Sequence, residues 1–249
     1  MRPSKDHPNR RAHNWLVYYH QDRSLETHAH RVKGDVFDLG AGATSYRRWC
    51  LENAKTYVAV DWPGSLHRGN LDIYADLNIA LPIEDAVADT LVCFSVLEHL
   101  HEPRGLLAEA ARILRPGGFM LLQVPWQWWI HEEPHDYFRY TPFALDRLLI
   151  EAGFEKPEIE AQGGFFSTLA LKVNYFSLRL VKGPQVLRKI IRAILWLPWQ
   201  LNMFLALALD RLDWHPELET PAYFVVARRP MAPQQVAPNM DRENLSGDE

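Results

Sequence analysis

Val36-Phe37-Asp38-Leu39-Gly40-Ala41-Gly42 and, about twenty residues further on, Tyr57-Val58-Ala59-Val60-Asp61 are the stretches whose reading decides the fold. Each is a short apolar run. The first ends in a Gly-x-Gly turn and the second in a carboxylate, the order in which a parallel sheet presents an adenosine-type ligand at its edge. Gly40 and Gly42 let the backbone bend sharply and approach a ligand where a Cβ would collide, and Asp61 can accept hydrogen bonds from two ribose hydroxyls. No third glycine follows, Thr44 standing in the turn instead, so the dinucleotide fingerprint is incomplete and NAD is not expected.

Outward from these runs the chain alternates. Strand-like segments at 36–39, 57–61, 70–75, 90–95 and 119–124 are separated by helical or loop material, which argues for a doubly wound, mostly parallel α/β sheet. A sixth strand is expected at Phe154 to Ala161 and a seventh at Tyr223 to Ala227. Pro103 to Leu114 puts Leu106, Leu107, Ala110, Ala111 and Leu114 on one helical face, with Arg115-Pro116-Gly117-Gly118 as its stop. Thr141-Pro142 is an N-cap followed by proline at the first helical position, and Gly153 closes that helix. Residues 1–32 read as a helical lead-in and 33–230 as the main domain, with a helical insertion at about 165–213, before the last strand, interrupted at Gly183-Pro184 and at Pro198. The tail 231–249, rich in Pro, Asn, Gln and acidic residues, is expected to be disordered.

The 249 residues suit one α/β domain with elaborations, and 47% hydrophobic with 23% charged residues is an ordinary globular composition. Met1 to Arg11 is polar without an apolar core, so no secretory signal is read there and a cytoplasmic location is expected. Cys50 and Cys93 lie far apart without metal or redox spacing, so no disulfide framework is expected, and Cys93, inside an apolar run, is expected to be a buried thiol. The net charge of -4 is unevenly spread: 161–209 holds Lys172, Arg179, Lys182, Arg188, Lys189 and Arg192 without one Asp or Glu. A basic segment on an acidic body suggests an anionic contact.

The chain resembles the class I S-adenosylmethionine-dependent methyltransferases, specifically their type 11 small-molecule group, across residues 33–155. The resemblance rests on Asp38-Leu39-Gly40-Ala41-Gly42, Asp61, Tyr74-Ala75-Asp76-Leu77 followed by Leu81-Pro82, Val96-Leu97-Glu98-His99, and Arg112-Ile113-Leu114-Arg115-Pro116-Gly117-Gly118. It implies a seven-stranded Rossmann-like fold with S-adenosylmethionine as cofactor. By the same resemblance Asp38, Gly40 and Gly42 line the methionine end, Asp61 the ribose and Asp76 the adenine amino group, while Phe94 and Ser95 face the sulfonium and acceptor. The family often carries a third glycine where Thr44 stands. A non-catalytic cofactor-binding or scaffold protein of this fold is the alternative.

The segment Pro125 to Thr141 follows the fifth strand, where an open parallel sheet places its substrate crevice. Similar His…Pro-His-Asp-Tyr-Phe-Arg-Tyr segments occur in type 11 enzymes linked to cell-surface glycan synthesis, which implies a sugar or sugar-lipid acceptor. Methyl transfer to an alcohol or amine needs a base within hydrogen-bond reach, and histidine suits that role. His131, His135 and His99 are the candidates, with Asp136 as orienting partner, Arg139 as a clamp for phosphate or carboxylate, and Trp126, Trp128 and Tyr137 as acceptor contacts. His131-Glu132-Glu133-Pro134-His135 also matches the zinc-protease string, but that site needs a regular helix, which Pro134 opposes. Glu98-His99 with His101 and Glu102 could hold a divalent ion, as a similar pair does in some quinone O-methyltransferases; a hydrogen-bonded loop end is preferred and no metal is assigned.

In the insertion, Leu187, Ile190, Ile191, Ile194 and Leu195 lie to one side of Arg188, Lys189 and Arg192, a basic amphipathic pattern that can lie in a membrane interface. Pro198, Gln200 and Asn202 interrupt it, so a membrane span is not expected, and packing over the active site or a dimer contact is preferred to membrane contact for this apolar face. The expected partners are a small-molecule acceptor, an anionic membrane surface through 161–209 and a second copy in a homodimer, but no nucleic acid.

Overall fold

Strands and helices alternate along the residues described by the computed structural model, which are 2–7, 9–67 and 69–231. In chain order they are α1 (Trp15–Thr27), β1 (Asp35–Leu39), α2 (Arg47–Asn53), β2 (Thr56–Asp61), β3 (Ile73–Tyr74), β4 (Ala88–Phe94), α3 (Pro103–Ile113), β5 (Leu114–Pro125), α4 (Pro142–Glu151), β6 (Glu158–Ala161), α5 (Phe165–Leu178), α6 (Gln185–Leu209) and β7 (Ala222–Arg228). The tail expected to be disordered beyond Met231 lies outside the described residues.

All seven strands form one Rossmann-like sheet of order β3-β2-β1-β4-β5-β7-β6. The pairs β1–β2, β1–β4, β2–β3 and β4–β5 are parallel, whereas β7 runs antiparallel to both β5 and β6. Strand order reverses between β1 and β4, so the loops leaving their carboxyl ends diverge and open a crevice there. The sheet is covered on both faces, which explains the continuous apolar runs of its central strands. Leu106, Leu107 and Ala110 of α3 and Leu145 and Leu149 of α4 pack against one set of strand side chains, and Leu25 of α1 with Trp49 and Cys50 of α2 against another. Both cysteines are free and buried. A smaller cluster joins Leu16 of α1, Ala170 and Leu171 of α5, and Trp199, Met203 and Ala206 of α6.

Local signals behave as their chemistry requires. The Ala144 amide donates to Thr141 Oγ1 at 3.2 Å, capping α4, and Gly153 closes it at φ +94°. Two expectations need correction. Arg115-Pro116-Gly117-Gly118 ends α3 but belongs to β5, because Leu114 already pairs with Ala88 and a register shift between Ala88 and Thr90 absorbs the irregularity. Pro198 does not interrupt α6, which continues to Leu209. The helical bond that proline forfeits leaves the carbonyl of Ile194, a residue on the exposed side where water can serve it, while buried Trp199, Met203 and Ala206 hold the following turns.

Candidate active site

The crevice is a cavity of about 800 Å³ reached by the loops after β1, β2, β4 and β5. Gly40 and Ala41 donate their amides to Val60 O, tying the turn after β1 to β2. At Gly40 the backbone is left-handed (φ +82°), and a Cβ there would come within 2.3 Å of the Val96 side chain. The glycine is thus required by its conformation and by packing against the loop after β4. Thr44 also takes the left-handed region, at φ +55°, a conformation unusual for a β-branched residue. The turn therefore keeps the backbone that a glycine at this position would adopt freely.

Asp61, at the end of β2, accepts the Gly42 amide on Oδ2 and the Trp62 amide on Oδ1, at 2.9 and 2.8 Å. Its carboxylate knots the two loops together at the cavity wall. Asp38 lies deeper, accepting a short hydrogen bond from the Tyr57 hydroxyl. Burial pushes its carboxyl up to about 7, against that hydrogen bond and with the help of the nearby Asp61 charge. Asp76 lines the cavity after β3, holding the Asn78 amide and side chain on Oδ1 at 2.9 Å each. Phe94 and Ser95 line it from the end of β4, Ser95 at φ +54° with its hydroxyl on Gln123 Oε1 at 2.7 Å.

The segment after β5 closes the opposite side without regular secondary structure from residue 126 to residue 141. His131, His135 and His99 all line the cavity, with Trp128 and Tyr137. Asp136 accepts from the His131 amide at 2.9 Å and lies 3.2 Å from His131 Nδ1. Burial opposes ionisation of Asp136, but the Arg139 guanidinium and the His131 amide overcome it and hold the carboxyl at about 2. An ionised Asp136 can only accept, so the pairing assigns the ring proton to Nδ1 and leaves the Nε2 lone pair free. Burial, and then the neighbouring His99, lower the His131 pKa, so the ring is neutral at neutral pH.

Arg139 grips Asp136 with both terminal nitrogens, at 2.6 and 2.8 Å, and donates to Trp129 O at 2.8 Å. It does not line the cavity, and neither do Asp136 or Trp126. Trp126 packs against the main core. The Arg139 guanidinium is thus spent on bracing the His131–Asp136 pair, which its place in the sequence beside two aromatic residues does not reveal.

His99 donates from Nδ1 to His135 O at 2.6 Å, which turns Nε2 toward Glu98 at 3.7 Å and Glu132 at 4.0 Å. The Glu98 carboxyl is fully buried, has no hydrogen-bond partner among the described residues, and is pushed up by desolvation to about 8. Glu98, His99 and His131 bring three ligand atoms within 4.8 Å of one another, a donor set able to hold a divalent ion. The sequence suggested His101 and Glu102 as companions of Glu98-His99. Instead the third donor comes from the loop after β5, because Tyr137 and Phe138 donate their amides to Glu98 O and draw that loop in.

Several cavity residues went unnoticed in the sequence. His7, Asn9, Asn14 and Tyr18 bring the N-terminal segment over the crevice, fastened where the Ser4 amide and Arg10 both meet buried Asp22, at 2.7 Å each. His67 meets Glu132 at 2.9 Å and joins the loop after β2 to the loop after β5. Tyr175 of α5 contacts the rings of Trp128 and Trp129 and makes the helical insertion part of the wall. The aromatic density of 126–129 and the reading of the insertion as packed over the active site hinted at such a wall.

The family described as Methyltransferase domain matches residues 37–122. A protein of Mycolicibacterium smegmatis, named a probable S-adenosylmethionine-dependent methyltransferase, is 28% identical over 201 residues, which is 74% of this chain and 75% of its own. Among solved structures, an S-adenosylmethionine-dependent methyltransferase from Mesorhizobium loti has a TM-score of 0.53 at 18% identity, over 86% of this chain and 100% of its own. Phosphoethanolamine N-methyltransferase 2 of Haemonchus contortus, in complex with S-adenosyl-L-methionine, has a TM-score of 0.56 at 14% identity, over 92% of this chain and 60% of its own. These two likenesses concern the fold.

Proposed function

We propose that this S-adenosylmethionine-dependent methyltransferase methylates a hydroxyl or amine of a small acceptor, sugar- or lipid-linked, with His131 as the base. The observation that carries the proposal is the His131–Asp136–Arg139 chain, held at one wall of the cavity whose other wall carries Gly40, Asp61 and Asp76. S-adenosylmethionine supplies the electrophilic methyl group. The residues suit it: Asp61 for ribose hydroxyls, Asp76 for an amino group, buried Asp38 for a positive charge, in a volume typical of small-molecule sites.

His131 Nε2 would take the acceptor proton, and ionised Asp136 would stabilise the imidazolium formed. His99 offers only a carbonyl at its far nitrogen, and His135 faces the Tyr137 hydroxyl at 3.1 Å, so neither ring has this support. Trp128, Trp129 and Tyr175 give a wall on which a sugar or aryl ring can stack. We place the enzyme in the cytoplasm, at the inner face of the membrane. The test is methyl transfer to a panel of sugar- and lipid-linked acceptors, followed across pH. The base works deprotonated, so kcat/KM should rise with pH through a value below 6.5, the ordinary histidine figure. A rising limb near pH 9 would assign proton removal to another group.

Asp38 makes cofactor affinity depend on pH. In the free protein its carboxyl is protonated below about 7. The cationic cofactor favours the carboxylate, so binding draws this pKa down and releases a proton near neutrality. Affinity should fall as pH drops below about 7 and level off above it. Calorimetry in buffers of different ionisation enthalpy measures the proton release. An affinity that does not change across this range would remove Asp38 from the positive end of the cofactor.

A further inference from the structure

The helical insertion carries a large apolar surface that none of the described residues covers. Ile190, Ile194, Leu197, Leu201, Phe204 and Leu205 of α6 are 51–67% exposed. At 100° per residue they fall on one side of the helix. Trp199, Met203 and Ala206 occupy the other side and are buried against α1 and α5. The outward stripe is therefore the side pointing away from the body. Leu169, Val173 and Phe176 of α5, with Leu180 just beyond its end, follow a similar spacing and are 47–64% exposed. Exposed apolar surface on this scale in a folded chain marks an interaction site.

The charges indicate its occupant. Arg188, Lys189 and Arg192 lie on the polar side of α6, Arg179 and Lys182 in the turn between the helices, and none of these five is ion-paired among the described residues. No acidic residue stands between 161 and 209. A helix with an apolar stripe on one side and Arg and Lys on the other lies in the plane of an anionic bilayer surface. A second copy is the poorer match, because its own 161–209 segment holds no acidic residue to meet these cations, whereas an anionic bilayer does. The geometry of α6 also opposes a span, although its length and hydropathy would allow one. Its inner side is anchored in the body, and Asp210 beyond its end accepts the amides of Gly164, Phe166 and Ser167 at the start of α5.

We infer that α5 and α6 form a docking surface for membranes containing anionic lipid. Tyr175 of α5 also lines the cavity, so the docking surface and the cavity wall belong to one helical hairpin. The inference deepens the lipid-linked acceptor reading and rests on it only for the delivery of the acceptor.

The experiment is co-sedimentation of the full chain with vesicles of phosphatidylcholine alone or mixed with phosphatidylglycerol, at low and high salt, with turnover of a water-soluble acceptor measured in parallel. Binding should require the anionic lipid and weaken with salt. Replacing Arg188, Lys189 and Arg192 together by Gln should reduce partitioning roughly 100-fold, about fivefold for each cation. The exposed pair Ile194→Asp and Leu201→Asp should abolish binding while the soluble turnover persists. Wild-type protein that fails to co-sediment with anionic vesicles at low salt overturns the inference. So does a dimer in sedimentation velocity that the Asp pair dissociates, since the surface would then belong to a second copy. Either result leaves the catalytic proposal standing if soluble turnover continues.

Discussion

Replacing His131 by alanine should lower kcat by about 10²–10⁴-fold, the usual contribution of a positioned general base. Cofactor affinity should stay nearly constant, because the ring's proposed role is toward the acceptor proton and its carboxylate partner is Asp136, outside the turn after β1. Asp136→Asn should also slow turnover, since the amide can donate to Nδ1 and stabilise the wrong tautomer, and it cannot neutralise an imidazolium. The same change removes the anion that Arg139 grips, so thermal unfolding of both variants must be measured beside their kinetics. His99→Ala and His135→Ala should cost less, as neither ring is paired with a carboxylate within hydrogen-bond distance. Full turnover in a folded His131→Ala protein would return this segment to a structural role.

The second large effect is expected at Asp61. Its replacement by alanine should weaken S-adenosylmethionine and S-adenosylhomocysteine alike by about 1.5–3 kcal/mol, the range for hydrogen bonds made to a charged group. That is about a tenfold to 150-fold rise in Kd, readable by calorimetry. The carboxylate also accepts the Gly42 and Trp62 amides, so alanine loosens the turn as well as removing the proposed ribose acceptor. Asp61→Asn separates the two contributions. Asparagine retains one oxygen for an amide and loses the charge, and it should fall between wild type and alanine. Equal affinity in all three proteins would place the ribose elsewhere.

Of the candidate site, the parts legible in the sequence are those whose chemistry is written over a few consecutive residues. Gly40 and Asp61 stand at the ends of apolar runs, and a strand that ends at a sheet edge must deliver its next residue to the crevice. The histidines after β5 were legible for the same reason. Their relations to other residues were not. Arg139 reads locally as a free cation beside aromatics, and only the folded loop brings both oxygens of Asp136 onto it. Glu98 reads as one half of a Glu-His pair with His101 and Glu102 nearby. The buried orphan carboxyl facing His99, with His131 as the third donor, exists because two loops from different strands meet.

For the fold, burial patterns are local and directions are not. Seven apolar segments bounded by turn residues determined seven strands, since a chain must bury such runs and pair their backbones. Thr141 and Gly153 determined the ends of α4, because a cap is a contact between near neighbours. That β7 enters between β5 and β6 and runs against both could not be read, because its alternation is the same in either direction and strand order is set by long-range pairing. Pro198 was misleading for a related reason. The cost of a proline in a helix is local, while the packing of Trp199, Met203 and Ala206 that outweighs it is supplied by α1 and α5. The sequence by itself determined which segments are strands and helices and which residues meet the crevice from strand ends. The tertiary structure decided strand direction, the closure of the crevice by the N-terminal segment, and the partners of Glu98, Arg139 and α6, because each depends on contacts between residues far apart in the chain.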